Sequence, residues 1–362
     1  ERLSKINTIF SEYVANGELP GAVVLAARNG KIVFHKAFGM NDIENQIPMK
    51  TDNIFRIASQ TKAIVSVGIM ILQEEGKILL SDTLSKFIPE FEDSKVALKL
   101  FPNQKIVNIN NYRIVKAKRE IRIRDLLTHT SGIGYGYGPG KKKWKKSGIQ
   151  GWYFAHRDEP ILETVKRMAK LPMEAHPGEK YVYGYSTDIL GAVIEVVSGQ
   201  SLNIFLKEKI FDPLNMTDTH FYLPNSKESR LSVVYSKCNN TLIRAPKGGP
   251  PRFKWKNKED CTGIYQTQGQ YAKGPRKSFS GGAGLLSTSL DYAVFLQMML
   301  NNGTYNGKRI LSRKSVELMI TNHLDGDYYK DVTFPWDWGV GFGLGFSVTT
   351  EMGDRGVLGS LD

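Results

Sequence analysis

A serine and a lysine three residues apart, Ser59 and Lys62, are the residues of this sequence best suited to nucleophilic chemistry. At the start of a helix, residues at this spacing lie on one face, one above the other. The lysine amine can then take the proton of the serine hydroxyl as that hydroxyl attacks a carbonyl group. The spacing by itself is weak evidence, because one or two such pairs are expected by chance in a chain of this composition. The surrounding sequence therefore has to support the assignment.

The stretch that follows Ser59 predicts a buried helix. From Ala63 to Leu72, only Ser66 and Gly68 are not plainly apolar. A helix that is apolar on nearly all sides is buried on nearly all sides. We expect this helix to start at or near Ser59 and to run to Gly76, because glycine suits the position just after a helix C-terminus. The positive end of the helix dipole would then favour negative charge developing beside Ser59.

The composition is that of a globular protein, with 362 residues, 41% of them hydrophobic and 23% charged. This length allows a large core and suggests two or three domains. No apolar run approaches the roughly 18 residues of a transmembrane helix, so no integral membrane segment is expected. No internal repeat is present.

The chain carries a net charge of +13, and its densest basic cluster is Lys141–Lys146. The cluster follows a glycine-rich stretch at 132–140, which predicts a flexible, exposed and solvated loop. No helix-turn-helix, RNP-type or paired-cysteine module accompanies these lysines. Nucleic-acid or anionic-surface binding is therefore the weakest functional hypothesis, and no nucleic-acid partner is expected.

Two cysteines, Cys238 and Cys261, are the only ones in the sequence. They fit either one disulfide, closing a loop of about 22 residues and worth roughly 3 kcal/mol, or two separate buried thiols. The chain begins at Glu1 with no leader-like segment, as in a processed protein or a trimmed sequence. A periplasmic or secreted location is expected, with the cytoplasm as the alternative.

The order of predicted elements indicates an α+β fold. A helix at 1–18 precedes strands at 22–27 and 32–38, and Asn29-Gly30 between them is a strong hairpin signal. The alternation at 341–348 predicts another strand. We expect an antiparallel sheet flanked by helices, formed by residues 1–80 plus 279–362, with a mainly helical domain at 81–278 inserted. Further helices are predicted at 123–129, 160–170, 186–198, 202–211, 289–301 and 313–321.

A set of short motifs, spread along most of the chain, carries a family resemblance. Ser59-Gln60-Thr61-Lys62 resembles the first motif of the serine β-lactamase and penicillin-binding-protein superfamily. The class C-like branch, which includes D,D-peptidases and family VIII carboxylesterases, is the most similar. The supporting stretches occur in the family's order and are Pro20-Gly21-Ala22-Val23, Phe87-Ile88-Pro89-Glu90-Phe91, Leu126-Leu127-Thr128-His129-Thr130-Ser131-Gly132, Pro177-Gly178-Glu179-Lys180 and Gly281-Gly282-Ala283-Gly284-Leu285.

The resemblance implies a second motif, a tyrosine loop, which reads Y-A-N in class C β-lactamases and often Y-S-L in the esterases. Tyr183-Gly184-Tyr185 occupies its place. Tyr183 is the implied general base or proton relay, and a tyrosine and a lysine in a dry site can share one proton. Tyr185 stands where the penicillin-recognising enzymes keep an asparagine that contacts the substrate amide, so it is the candidate substrate-binding residue and favours an ester or another acyl substrate. Tyr181 or Tyr185 is the alternative working tyrosine.

The family's third motif, K-T-G, H-x-G or W-x-G, lies on a strand that helps to bind the acyl group and supplies an oxyanion-hole N–H. It is expected about 20–30 residues after the strand at 341–348, which is beyond Asp362. Lys146-Ser147-Gly148 matches it in letters only, because it precedes Tyr183 and lies in the basic loop. A further C-terminal segment or a second polypeptide is therefore the expected partner that completes the sheet.

Taken together, these features predict a serine acyl hydrolase with Ser59 as nucleophile, Lys62 as its proton partner and Tyr183 as base or relay. The reaction would pass through an acyl-enzyme, with no metal and no organic cofactor. The expected substrate is a small ester or a peptide-like acyl compound. A carboxylesterase is favoured, and a D,D-carboxypeptidase, a penicillin-binding protein or a class C-like β-lactamase is the alternative. A catalytically silent homologue with a binding or scaffold role is the alternative of another class. The sequence contains no G-x-S-x-G elbow and no metal-ligand spacing among its six histidines.

Overall fold

The computed structural model describes residues 3–100, 112–238, 241–248, 267–324, 328 and 339–351. Helices and antiparallel strands alternate along these residues, as the α+β prediction requires. The predicted division into a sheet domain and an inserted domain stays a prediction.

The N-terminal part combines one helix with an antiparallel sheet. Helix α1 (Ser4–Ala15) precedes strands β1 (Gly21–Arg28) and β2 (Lys31–Asp42), and the short strand β3 (Ile47–Pro48) pairs with β2. Asn29 and Gly30 connect β1 to β2 with φ of +51° and +70°. Two positive φ values are those of a tight hairpin turn whose twist matches the strands. The hairpin predicted from this dipeptide is confirmed.

The centre of the molecule is helix α2 (Thr61–Glu74), in which every residue from Thr61 to Leu72 is buried. Strand β4 (Phe55–Arg56) and a 3-10 turn at Ala58–Gln60 lead into it, and Gly76 follows its end with φ of +69°. The predicted buried helix is thus confirmed, with Ser59 in the turn just before it.

Within the described residues, the middle of the chain contains five α-helices. These are α3 (Ile123–Leu127), α4 (Lys141–Lys146), α5 (Ile161–Met168), α6 (Ser186–Ser198) and α7 (Leu202–Leu206), the last continued by a π-helical turn at Lys207–Phe211. Helices α3 and α5 pack against α6, while α6 and α7 pack against α2. Gly68 of α2 allows this packing, since a Cβ there would lie 3.0 Å from Ile194 and 3.1 Å from Leu206. Helix α6 is therefore held directly against the helix that follows Ser59.

Two antiparallel strand pairs lie within the segment that was predicted to be mainly helical. Strand β5 (Lys95–Lys99) pairs with β6 (Tyr112–Lys116), and β7 (Tyr235–Cys238) pairs with β8 (Thr241–Arg244). Each of these strands is only four or five residues long, which is too short for a clear alternation of apolar and polar residues. Cys238 is disulfide-bonded, which favours the disulfide alternative, and Cys261 lies outside the described residues.

The basic cluster is a helix, not the predicted loop. Trp144 is 2% exposed, and its indole Nε1 donates a hydrogen bond to the carbonyl oxygen of Pro172 at 2.9 Å. Because one buried aromatic side chain anchors the segment, the lysines around it form the first helical turns after Gly140. Their flanking glycines made the stretch look irregular.

The C-terminal part begins with strand β9 (Leu286–Ser287), which pairs with β4. It continues with α8 (Ser289–Leu300), β10 (Thr304–Tyr305), β11 (Lys308–Arg309) and α9 (Arg313–Met319). The strand predicted at 341–348 is wrong as a single strand, because the structure has a hairpin of β12 (Val340–Phe342) and β13 (Ser347–Thr349). Gly345, with φ of +89°, makes the turn, and a Cβ there would lie 2.1 Å from Ser66 Oγ on α2.

No single helix within the described ranges is long and apolar enough to cross a membrane. Two neighbouring segments, Ser186–Ser198 and Leu202–Phe211, meet the length and composition requirement only together, with an 85° bend between them. Most of α6 lies in the core, since its residues from Ser186 to Ile194 are all buried.

Candidate active site

The nucleophile candidate lies on a strained turn between a strand and the buried helix. Ala58 has φ of +44°, a conformation that costs a residue with a Cβ about 1–3 kcal/mol and is typical of active-site turns. Leu285, just before strand β9, holds the turn in place by two hydrogen bonds. Its carbonyl oxygen accepts from Ile57 N–H at 3.1 Å, and its N–H donates to Thr61 Oγ1 at 3.1 Å. Ser59 itself is exposed. A substrate can therefore reach the hydroxyl, although the helix behind it is buried.

The lysine candidate is buried beside this hydroxyl. Lys62 is 4% exposed, and its Nζ donates to the carbonyl oxygen of Gly282 at 2.7 Å, to Ser59 Oγ at 3.2 Å and to the Tyr135 hydroxyl at 3.4 Å. An ammonium group has three donors, and here each has an acceptor. A buried cation needs such partners, because an unsatisfied one would cost several kcal/mol. The three oxygens thus fix the position of Nζ next to the nucleophile.

The tyrosine of the second motif contacts the lysine through its ring. Lys62 Nζ lies 4.7 Å from the ring centroid of Tyr183, within cation–π range. The same ring packs against His129 at a centroid distance of 4.6 Å and against Tyr135 at 5.9 Å. Helix α6 begins three residues later, so the start of that helix carries Tyr183 to α2. Its role as base or relay stays a prediction.

Tyr135, whose hydroxyl is hydrogen-bonded to Lys62, was not among the predicted site residues. It follows the Leu126–Gly132 motif within the glycine-rich stretch, and that position was its only sequence signal. Burial raises the pKa of the Tyr135 phenol far above its usual value, and nearby tyrosines and Asp188 raise it further. A phenol that resists ionisation is a poor base. It suits the role of a neutral hydrogen-bond partner that holds the lysine.

His129 closes the back of the site. It is 1% exposed and has φ of +56°, and its ring packs on Tyr181, Tyr183 and Phe342. Burial, together with the charge of Lys62, lowers the pKa of the imidazole to about 3. His129 is therefore neutral at physiological pH, and its ring packs against that of Tyr183.

Tyr185 lies in the core and not at the surface of the site. It is 0% exposed, its ring stacks on Trp144 at a centroid distance of 5.6 Å, and its hydroxyl donates to Gly151 O at 2.9 Å. This packing leaves no surface of the side chain for a substrate. The substrate contact predicted for Tyr185 does not fit this arrangement, because the ring packs on Trp144 and the hydroxyl is bonded to Gly151 in the core.

The site is therefore an exposed serine on a strained turn, a buried lysine one helical turn away, and two tyrosines against the lysine. This geometry defines the S-x-x-K class of serine site, on an α+β fold. The sequence model of the Beta-lactamase family matches residues 6–359, and the chain belongs to that family, whose members are serine hydrolases.

Three similar proteins illustrate the range of the family. A putative D-alanyl-D-alanine carboxypeptidase of Escherichia coli K12 is 28% identical over 94% of this chain and 72% of its own length. Esterase EstB of Burkholderia gladioli is 30% identical over 68% of this chain and 57% of its own length. The solved structure of EstCE1, a hydrolase with promiscuous acyltransferase activity, matches with a TM-score of 0.78 and 23% identity, covering 98% of this chain and 84% of EstCE1. That likeness shows the fold alone.

Proposed function

We propose that this protein is a serine hydrolase that cleaves carboxylic esters through an acyl-enzyme on Ser59. The observation that carries the proposal is the 3.2 Å contact between the exposed Ser59 Oγ and the buried Lys62 Nζ. A free serine hydroxyl is a weak nucleophile, and an adjacent base activates it. The strained turn at Ala58 and the closure of the lysine by three oxygens support a site built for this purpose.

Acylation follows from this geometry. As Ser59 Oγ bonds to the substrate carbonyl carbon, its proton passes to the Lys62–Tyr183 pair, in which the amine and the phenol share one proton before the transfer and hold two after it. The carbonyl oxygen becomes an oxyanion near the positive end of α2. When the carbonyl re-forms, the bond to the leaving alcohol breaks and the alcohol takes the proton from the Lys62–Tyr183 pair.

Deacylation uses the same groups with water in place of serine. Water gives a proton to the Lys62–Tyr183 pair and adds to the acyl carbon. The ester bond to Ser59 Oγ then breaks, Oγ regains the proton and the carboxylic acid leaves. Each proton taken up in one half-reaction is returned in that half-reaction, so the enzyme is restored.

An ester is favoured over a peptide substrate because of Tyr185. The position that would offer an amide-binding side chain is occupied by a buried tyrosine, whose hydroxyl is engaged by Gly151. The site therefore lacks that contact for the amide of a D-alanyl peptide or a penicillin. The esterase relative supports the same choice, while the carboxypeptidase relative keeps the competing activity in the test.

The test is covalent labelling of the protein with a fluorophosphonate and with a fluorescent penicillin. We expect the fluorophosphonate to label the wild type and Ser59→Ala to abolish the adduct. Ser66→Ala is the control, because Ser66 is a buried serine on α2, the helix that follows Ser59. Mass spectrometry of the labelled peptide would place the adduct on Ser59.

The outcomes separate the candidate functions. An adduct with the fluorophosphonate only supports the esterase. An equally fast adduct with penicillin would overturn the ester preference and favour a D,D-carboxypeptidase or a β-lactamase. A folded protein with no Ser59-dependent adduct would refute the hydrolase and favour the silent homologue with a binding role.

The proposed compartment is the periplasm or the cell exterior. The disulfide at Cys238 supports it, because disulfides persist mainly in oxidising compartments. Fractionation of the native host with an antibody against this chain tests the assignment, and recovery in the cytoplasmic fraction would overturn it.

A further inference from the structure

A buried carboxylate lies behind the site and has no part in the chemistry described above. Asp188 is on α6, five residues after Tyr183, and is 1% exposed. Its Oδ1 accepts hydrogen bonds from Ser280 Oγ at 2.6 Å and from the Gly282 N–H at 3.0 Å. Its Oδ2 is buried and has no hydrogen-bond partner in the described part of the chain. Burial raises the pKa of this carboxyl group, while the bond from Ser280 and the charge of Lys62 act against the increase.

Gly282 connects this carboxylate to the catalytic lysine. Its N–H donates to Asp188, and its carbonyl oxygen accepts from Lys62 Nζ at 2.7 Å, the shortest of the three contacts of Nζ. The N–H of Gly282 is thus bonded to the carboxylate of Asp188, and the carbonyl oxygen of the same residue is bonded to Lys62 Nζ. A shift of this residue would displace the strongest partner of Lys62.

The loop that holds Gly282 has no free space on the side of α6. A Cβ on Gly281 would lie 2.4 Å from the carbonyl oxygen of Thr187, and a Cβ on Gly282 would lie 2.3 Å from Asp188 Oδ2. Gly281 and Gly282 are therefore packed closely against α6. This packing also means that the Asp188 side chain sets how near the loop comes to α6, and so where the Gly282 carbonyl points.

We propose that Asp188 is a positioning residue for the acylation of Ser59, because it orients the Gly282 peptide and thereby places Lys62 Nζ beside the serine hydroxyl. The proposal rests on the proposed function, since it assigns a residue that serves the same site. It predicts that the hydrogen-bonding shape of Asp188 matters more than its charge. Asparagine keeps an Oδ1 acceptor for both donors, and alanine keeps none.

The experiment measures the second-order rate of fluorophosphonate labelling and the kcat and KM for a p-nitrophenyl ester. We expect Asp188→Ala to slow labelling about 100-fold, the order of loss for a reacting group displaced by about 1 Å. The loss should lie in kcat and not in KM. Asp188→Asn should label close to the wild-type rate, and Ser280→Ala, which removes one of the two bonds, should lie between them.

Asp291 on α8 provides the matched control. It is also a buried aspartate that accepts from a backbone N–H, that of Asp218 at 2.8 Å, and from a hydroxyl, Thr219 Oγ1 at 2.9 Å. Its partners do not contact Lys62. Asp291→Ala should lower the melting temperature as any lost buried aspartate does, while its labelling rate stays that of the wild type.

A second perturbation approaches the same contact from the loop. Gly282→Ala places a methyl group against Asp188 Oδ2, and we expect it to slow labelling as Asp188→Ala does. Because the carboxylate is the group that it meets, the double variant Asp188→Ala/Gly282→Ala should be no slower than Asp188→Ala alone. Additive losses, or equal slowing by Asp291→Ala, would overturn the proposal.

A crystal structure of Asp188→Ala, beside one of the wild type, gives a readout that does not need activity. A change in the separation of Gly282 O and Lys62 Nζ supports the proposal, and an unchanged separation of 2.7 Å refutes it. If the wild type is not labelled at Ser59, the proposed function fails, and these two structures still decide the role of Asp188. If Asp188→Ala does not fold, Asp188→Asn and Gly282→Ala carry the same comparison.

Discussion

Replacing each site tyrosine by phenylalanine separates the proton carrier from the residue that holds the lysine. Phenylalanine keeps the ring contacts among Tyr135, Tyr183 and Lys62 and removes only the hydroxyl group. Any loss of rate can therefore be assigned to that hydroxyl. Tyr135→Phe removes one acceptor from Lys62 at the long distance of 3.4 Å. A hydrogen bond of this length is worth about 1 kcal/mol or less, a factor of about five in rate. Tyr183→Phe removes the proposed proton carrier, and general acid–base catalysis contributes about 100- to 10,000-fold.

The assay is the pre-steady-state burst of p-nitrophenol from a p-nitrophenyl ester, which reports acylation before turnover limits the signal. We expect Tyr183→Phe to lower the burst rate by at least about 100-fold, and Tyr135→Phe to lower it by about fivefold. Tyr271→Phe is a control, because Tyr271 is a buried tyrosine that lies against Arg56 and not against Lys62. A burst rate lower for Tyr135→Phe than for Tyr183→Phe, or a Tyr183→Phe rate near that of the wild type, would contradict the roles assigned to the two tyrosines.

Three further predictions concern stability, each measured as the free energy of unfolding. Gly345→Ala should destabilise the protein by at least about 1 kcal/mol, because φ is +89° and the methyl group would meet Ser66 Oγ at 2.1 Å. Gly307→Ala is the control for backbone strain alone, since Gly307 has φ of +74° and open space around it. Trp144→Ala should cost about 3–5 kcal/mol, whereas replacing Lys142 by alanine should change little; similar losses would refute the anchoring role of the indole. Burial lowers the pKa of His129 to about 3, so on acidification the imidazole takes up a proton in the unfolded chain before it does so in the folded protein. The free energy of unfolding should therefore fall as the pH drops from 6.5 towards 3, by up to about 1.4 kcal/mol per pH unit. The same pH dependence in His129→Asn would contradict this.

The parts of the site that were readable from the sequence are those fixed by local spacing. Ser59 and Lys62 are one helical turn apart, and the apolar run after them requires burial wherever the rest of the chain lies. Asn29-Gly30 likewise encodes its own turn. Tyr183 came from motif order, and the structure does bring its ring to Lys62.

The parts that were not readable depend on contacts between distant segments. No local pattern tells that Tyr135 presents its hydroxyl to Lys62 while Tyr185 turns into the core against Trp144. Alternating tyrosines in a loop have no hydrophobic period that fixes which one faces inward. Asp188 was hidden for a similar reason, because a carboxylate at the first turn of a helix usually serves the helix end and not a loop almost a hundred residues later.

The hydrogen bond between Lys62 and Gly282 has a consequence for the nascent protein. The lysine and its carbonyl partner Gly282 are 220 positions apart, so the chain must be made through that residue before the amine can be fixed beside Ser59. At the usual rate of translation, this takes roughly 10 to 45 seconds after Lys62 is added. During that time the serine is an ordinary hydroxyl, with no base held against it. The capacity to attack carbonyl groups therefore arises only with the assembled fold, and the rate at which Ser59 acquires a label during refolding is a measure of how fast the last of these segments arrives.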